Sequence, residues 1–280
     1  MDDVRQGGED QSALWNRAEC AWVDAQETLD RMYKPVEDLL VDAVMTGSPR
    51  RVLDVGCGTG ATTLAAARRL GATGACVGVD ISQPMLDAAR ARAERDGTPA
   101  LFIRGDAEIH PFEPSTFDAI MSRFGVMFFA DSVRAFANLR DAARSGAALR
   151  FVAWRSADEN PFMTTAERAA APLMPNLPPR VPDAPGQFAF ANEHRVHDIL
   201  ARSGWGGIDI QPVDFECTLP EAELTWHATR FGPLGRVLHD ADDRTRARVI
   251  DAVRVAFEPY VHGTEVRYIA ACWMIAARSP

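Results

Sequence analysis

The stretch LDVGCGTGA, residues 53–61, sets three glycines into five positions directly behind a short apolar run. Glycine gives up the most conformational freedom on folding, so such a cluster marks close backbone approach or positive φ. The run ahead of it, RVLDVG, reads as a buried strand. The segment behind it, TGATTLAAARRLG, reads as a helix stopped by Gly71. The loop therefore lies where a parallel strand ends and a helix begins near Thr59. Such a helix start receives polar or anionic ligand groups through its free N–H groups and its dipole. Gly56, Gly58 and Ala61 satisfy G-x-G-x-x-A, and no lysine follows, which excludes a Walker-type phosphate clamp.

Moving outward, strands and helices alternate. GACVGVDI and PALFIRGD read as the second and third strands, joined by the helix SQPMLDAARARAERDG with Ser82 as its cap and Gly97 as its stop. STFDAIMSRFG ends in a fourth strand. The helix DSVRAFANLRDAARSG, capped by Asp131 or Ser132, leads to a fifth, AALRFVAWR. This alternation predicts an α/β fold with a doubly wound parallel sheet. Further on, NEHRVHDILARSGW reads as a core helix, GIDIQPVDFECTL as a sixth strand and YIAACWMIAAR as a seventh.

The chain divides on this pattern into an N-terminal helical cap (1–48), in which Ser12 caps a first helix and Pro35 opens or kinks a second. A cofactor-binding core (49–155), a lid insertion (156–191) and a core helix and strand (192–220) follow. A helical insertion (221–264) and the final core strand (265–280) complete it.

Composition limits the partners. The chain is 47% hydrophobic and 25% charged, as a globular protein with a real core requires. A net charge of -9 argues against a nucleic-acid partner, which needs a basic face. No apolar run is long enough to span a membrane. The opening MDDVRQGGEDQ is acidic and polar, unlike a secretory leader, and reads as a frayed tail. Five scattered cysteines, Cys20, Cys57, Cys76, Cys217 and Cys272, without C-x-x-C spacing, read as reduced thiols of a cytoplasmic protein, not as metal ligands.

Asp80 ends the second strand about 20 residues past the glycines, where a carboxylate takes two ribose hydroxyls. Loop and carboxylate together point to an adenosine-bearing cofactor, either a nicotinamide dinucleotide or S-adenosylmethionine. The ordered set LDVGCGTG, VGVDIS, GDAE and FDAIMSRFG, within residues 50–154, resembles the class I S-adenosylmethionine-dependent methyltransferases. That resemblance implies a Rossmann-like seven-stranded sheet with helical lid additions. It also implies that Gly56, Gly58 and Gly60 admit the amino-acid part of the cofactor, with Asp54 and Cys57 in the same segment. Asp80 then binds the ribose, Ile81 lines the adenine, and Asp106 and Ala107 meet its edge, though Asp106 also suits a plain turn. Ser122 and Arg123 face the methionine carboxylate and the acceptor opening.

The acceptor implied is a small molecule, in the manner of quinone and polyketide methyltransferases. Ser122-Arg123-Phe124-Gly125 stands where DNA amino-methyltransferases carry an Asn/Asp-Pro-Pro-aromatic tetrad. Trp15, Trp22, Tyr33, Arg123, Phe124, Met127, Phe128, Phe129, Phe162, Trp226 and Phe231 are the candidate walls of the acceptor pocket. Aromatic rings there also shield a sulfonium. Where the acceptor must lose a proton, His110, His194 and His227 are the candidate bases, with Glu193 beside them. Two rival readings remain: a nicotinamide-dependent oxidoreductase, which lacks a Tyr-x-x-x-Lys pair because the one lysine is Lys34, and a non-catalytic cofactor-binding module.

Overall fold

A computed structural model describes residues 21–280. The polar tail, Ser12, Trp15 and Cys20 lie outside the described residues. Among the described residues, eight strands form one sheet: β1 (Arg51–Val55), β2 (Ala75–Asp80), β3 (Leu101–Arg104), β4 (Phe117–Arg123), β5 (Ala143–Trp154), β6 (Gly206–Pro220), β7 (Val261–His262) and β8 (Glu265–Arg278). Their spatial order is β3-β2-β1-β4-β5-β8-β6, with β7 paired to β8. β1 to β5 are mutually parallel, as the alternation predicts.

Two features depart from the sequence reading. The parallel sheet does not continue to its far edge: β8 enters between β5 and β6 and runs antiparallel to both. Alternation along the chain reports crossovers, and β6 to β8 is joined by an insertion whose length leaves the direction of return open. The helical insertion also stops short of residue 264. Val261 and His262 pair with Val266 and Glu265 as an eighth short strand. Gly263, at φ 69°, makes the tight turn between them.

Local chemistry sets the helices of the core. The Ser82 hydroxyl accepts from the Met85 amide to cap Gln83–Arg95, and Asp131 caps Ser132–Ala142. Pro35 sits in the first turn of Lys34–Met45, opening that helix as a separate element. Ser132–Ala142 ends four residues before Gly146, the last residue of the stretch read as helix. Arg144 is drawn instead onto Asp118, whose other carboxylate oxygen accepts from the Arg50 and Arg51 amides. That anchor starts β5 at Ala143.

The sheet core is Leu53, Ile120, Met121, Phe151 and their neighbours, covered by Phe136 and Leu139 from a helix, while Leu64 packs with Leu86, Ala89 and Phe102 in a second cluster. β1 is flanked by β2 on one side and β4 on the other, so the crossovers leave in opposite directions and open a crevice at the strands' carboxyl ends. The helices Pro161–Ala170, Glu221–Arg230, Gly232–Leu238 and Asp243–Phe257, with Gln26–Met32, stand over that crevice. Among the described residues, no helix is long and apolar enough to cross a membrane.

Candidate functional site

The glycine loop is shaped by backbone alone. Gly56, Gly58 and Gly60 have φ of 66°, 52° and 84°. A Cβ on Gly56 would stand 2.7 Å from the Gly125 Cα, so the loop and the turn after β4 touch main chain to main chain. Gly60 serves packing instead: a Cβ there would meet Ala89 and Phe102 at 3.0 Å. At Gly58 the space is open, with only the Met85 sulfur within reach, at 3.6 Å.

Asp80 ties this loop to the second strand. One carboxylate oxygen accepts from the Gly58 amide at 2.8 Å and the other from the Ser82 amide at 2.9 Å. Ile81, Met85, Asp106 and Ala107 extend the same wall. Asp106 lines the wall, and its Oδ1 accepts from the Glu108 amide at 2.9 Å, as a turn residue does. The Cys57 sulfur turns inward against Gly78.

Beneath the loop lies Asp54, 1% exposed. Its Oδ2 accepts from the Thr63 hydroxyl at 2.6 Å, while Oδ1 has no partner. Burial pushes its carboxyl up to about 7. Arg123 ends β4 and reaches the cavity wall; its Nη1 is buried without a hydrogen bond, with Glu37 Oε2 at 4.0 Å. An unsatisfied guanidinium nitrogen stands at the wall of the crevice and complements the carboxylate of an amino-acid group, while the unsatisfied Asp54 oxygen lies beneath the loop, off the cavity wall. The residues present thus fit an adenosyl-amino-acid cofactor. Ser122 is a correction: its hydroxyl does not face the crevice. It donates to the Val55 carbonyl at 2.7 Å and accepts from the Gly125 amide at 3.2 Å, which locks β4 to β1 and brings Gly125 onto Gly56.

The crevice opens into one cavity of about 2110 Å³. Ligand pockets are typically about 300–1,000 Å³, so it has room for a cofactor and a second molecule. Phe124 and Trp154 stack with ring centroids 4.5 Å apart, and Tyr33 meets both edge-on. Trp22 and Trp226 contact Phe231 at 4.8 and 6.0 Å from opposite elements. Phe162 lines the cavity while stacking on Tyr268 at 3.8 Å, and Met127, Phe128 and Phe129 complete the wall beside the loop.

The three histidines part company. His110 packs against Gly105 outside the cavity wall, edge-on to Phe112 at 4.6 Å. His194 and Glu193 are exposed in the first turn of Glu193–Arg202. Only His227 of the three lines the cavity. Sequence reasoning missed Glu37, Met85 and Trp154. Glu37 had a signal: it sits within the buried stripe Val36, Leu40, Val41 and Val44. Trp154, the last residue of β5, had the same positional signal as Arg123 at the end of β4.

Comparison with known proteins agrees with this geometry. Residues 52–146 match a family model described as a methyltransferase domain. The chain is 33% identical over 136 residues to the aklanonic acid methyltransferase DauC of a Streptomyces species, covering 47% of this chain and 62% of DauC. It is 31% identical over 194 residues to the uncharacterized protein Rv1405c of Mycobacterium tuberculosis, covering 69% of this chain and 67% of that one. In fold it is similar to the YcgJ protein of Bacillus subtilis, with a TM-score of 0.57 and 16% identity over 87% of this chain and 97% of that one.

Proposed function

This chain belongs to the class I S-adenosylmethionine-dependent methyltransferases, and we propose from that premise that it methylates a small aromatic or apolar metabolite. The observation that carries the proposal is continuity: the crevice gripped by Asp80 and Gly58 opens directly into the aromatic hollow under the inserted helices. S-adenosylmethionine supplies a methyl carbon on a positive sulfur, which leaves as a neutral thioether.

The chain's own residues supply placement. Asp80 would hold the ribose hydroxyls, and Ile81, Met85, Asp106 and Ala107, which line the same wall, would close on the adenine. Arg123, on the cavity wall, would receive the carboxylate of the amino-acid end, with Asp54 beneath the loop adding negative charge on that side. Phe124, Trp154 and Tyr33 exclude water and offer ring faces where positive charge must sit. Phe231, Trp22 and Phe162 hold the acceptor. Fixing acceptor and methyl carbon in line accounts for about 7–11 kcal/mol of barrier in well-oriented systems. The net charge of -9 supports a small molecule over nucleic acid as acceptor, and the four described cysteines, all buried and free, suit a cytoplasmic setting.

Calorimetry with S-adenosylhomocysteine tests the cofactor half. Binding by the intact chain and a loss of about 100-fold in Asp80→Ala are expected, because two charge-assisted hydrogen bonds go. Label from methyl-labelled S-adenosylmethionine entering the small-molecule fraction of a cell extract tests the acceptor half. A well-folded chain that binds no S-adenosylhomocysteine overturns the proposal.

A further inference from the structure

The hollow under the insertion is mostly ring and alkyl surface, and His227 is a polar group built into it. The side chain sits on Glu221–Arg230, lines the cavity and is 9% exposed, with its ring 4.8 Å from Phe231. Nδ1 is sealed and has no hydrogen-bond partner, which leaves Nε2 as the nitrogen open to the hollow.

Burial holds this imidazole neutral, pushing it down to about 4 although the Glu223 carboxylate one turn earlier pulls the other way. Other charged groups face the hollow from packed helices: Arg236 and Arg246 within the insertion, and Asp30 from Gln26–Met32. Of the strands behind the helix, β6 and β8 carry Cys217 and Tyr268, both kept neutral by burial. A neutral imidazole has one N–H. A buried N–H without an acceptor costs more than an idle lone pair, so the proton belongs on Nε2 and points into the hollow.

We propose that His227 is a specificity-determining residue that donates its Nε2–H to a neutral carbonyl oxygen of the methyl acceptor, so that ketone- or quinone-like rings are selected. The proposal rests on the hollow being the acceptor site. It makes His227 a donor and not a base: the lone pair that a base needs is on the sealed nitrogen. An uncharged donor among aromatic rings matches an uncharged oxygen, whereas a carboxylate finds better partners in the arginines of the rim.

The test uses the full chain saturated with S-adenosylhomocysteine and two ring probes, 1-tetralone and tetralin, which differ only in the carbonyl. Wild-type protein is expected to bind tetralone about fivefold more tightly than tetralin by quenching of tryptophan fluorescence. The preference is expected to persist in His227→Gln, whose amide N–H₂ reaches the position of Nε2, and to vanish in His227→Phe. Equal preference in His227→Phe, or none in wild type, overturns the inference. Nitrogen-15 spectra of the histidines check it without a ligand: His227 is expected as the Nε2–H tautomer from about pH 5.5 to about pH 8. An Nδ1–H tautomer overturns it. S-adenosylhomocysteine calorimetry separates the two levels: its failure removes the methyltransferase reading, while intact binding with no tetralone preference removes only the role of His227.

Discussion

The cofactor crevice and the acceptor hollow share one cavity but are made of different material. The crevice is mostly main chain: positive-φ glycines, the Gly58 and Ser82 amides held by Asp80, and the bare contact of Gly56 with Gly125. The hollow is side chain: Phe231 against Trp22 and Trp226, Phe124 against Trp154, and the ring of His227. A backbone device tolerates little change at its glycines, since all three sit at positive φ and a Cβ at Gly56 or Gly60 meets a wall. A lining of rings exchanges one shape for another at modest cost. One scaffold therefore keeps its cofactor while its acceptor varies.

Gly56→Ala should break the crevice most severely. It combines a positive φ with a Cβ only 2.7 Å from Gly125. A loss of about 3–5 kcal/mol in urea unfolding is expected, with cofactor binding abolished. Gly58→Ala sharpens the point, because its nearest neighbour is a flexible thioether at 3.6 Å. About 1 kcal/mol is expected there. Equal losses at the two glycines would mean that φ matters and the Gly56–Gly125 approach does not.

Asp54 is a side chain buried within the main-chain region, and its effect has a definite sign with pH. Its carboxyl is raised to about 7 in the folded chain against about 3.9 when unfolded. Between those values the native state holds a proton that the unfolded state has released, so stability falls as pH rises through this window. The full difference is about 3–4 kcal/mol and is lost above pH 7. Asp54→Asn keeps an oxygen for the Thr63 hydroxyl and removes the charge. Unfolding at pH 8 should show a gain of about 2–3 kcal/mol for the free protein and a flatter pH dependence. Cofactor binding should fall far less than in Asp80→Ala, because Asp54 lies beneath the loop and does not line the cavity.

The same division explains what could be read in the chain. Glycine spacing, Asp80 at a strand end and the cap residues Ser82 and Asp131 act locally, through φ and nearby amides, so residue type and spacing carried them. Ser122 misled because its target, the Val55 carbonyl, is 67 residues away and adjacent only through the β1–β4 pairing. His110 and His227 were indistinguishable by composition, yet one packs under Gly105 and the other enters the cavity. The direction of β8 was hidden because antiparallel return needs only a long enough connection. Glu37, an acidic residue on an apolar stripe, was legible, and its meaning depended on Arg123 from another element.

On the hollow side, Phe231→Ala should cost about 1–2 kcal/mol of stability, because the ring is only partly buried and its neighbours can close in. S-adenosylhomocysteine affinity should not move, whereas transfer of labelled methyl groups to extract metabolites should fall. A parallel drop in cofactor affinity would break the separation of the two regions.

The smallest expected effect lies at the joint between them. Arg92, on the helix after β2, donates to the Thr59 carbonyl of the glycine loop at 2.7 Å and to Asp30 of the N-terminal helix at 2.6 Å. That helix also meets the insertion, where Thr28 and Arg31 bond Glu223, and Trp22, ahead of the helix, touches Phe231. The Arg92–Asp30 pair is mostly shielded from water, so it is worth more than an open surface pair, about 1 kcal/mol. Arg92→Met keeps the alkyl packing and removes both bonds. S-adenosylhomocysteine affinity should fall about threefold to fivefold, and hydrogen exchange should rise in both 26–32 and the loop 56–60. Faster exchange in the loop alone would show that the guanidinium serves only Thr59, and that the acceptor side closes without reference to the cofactor side.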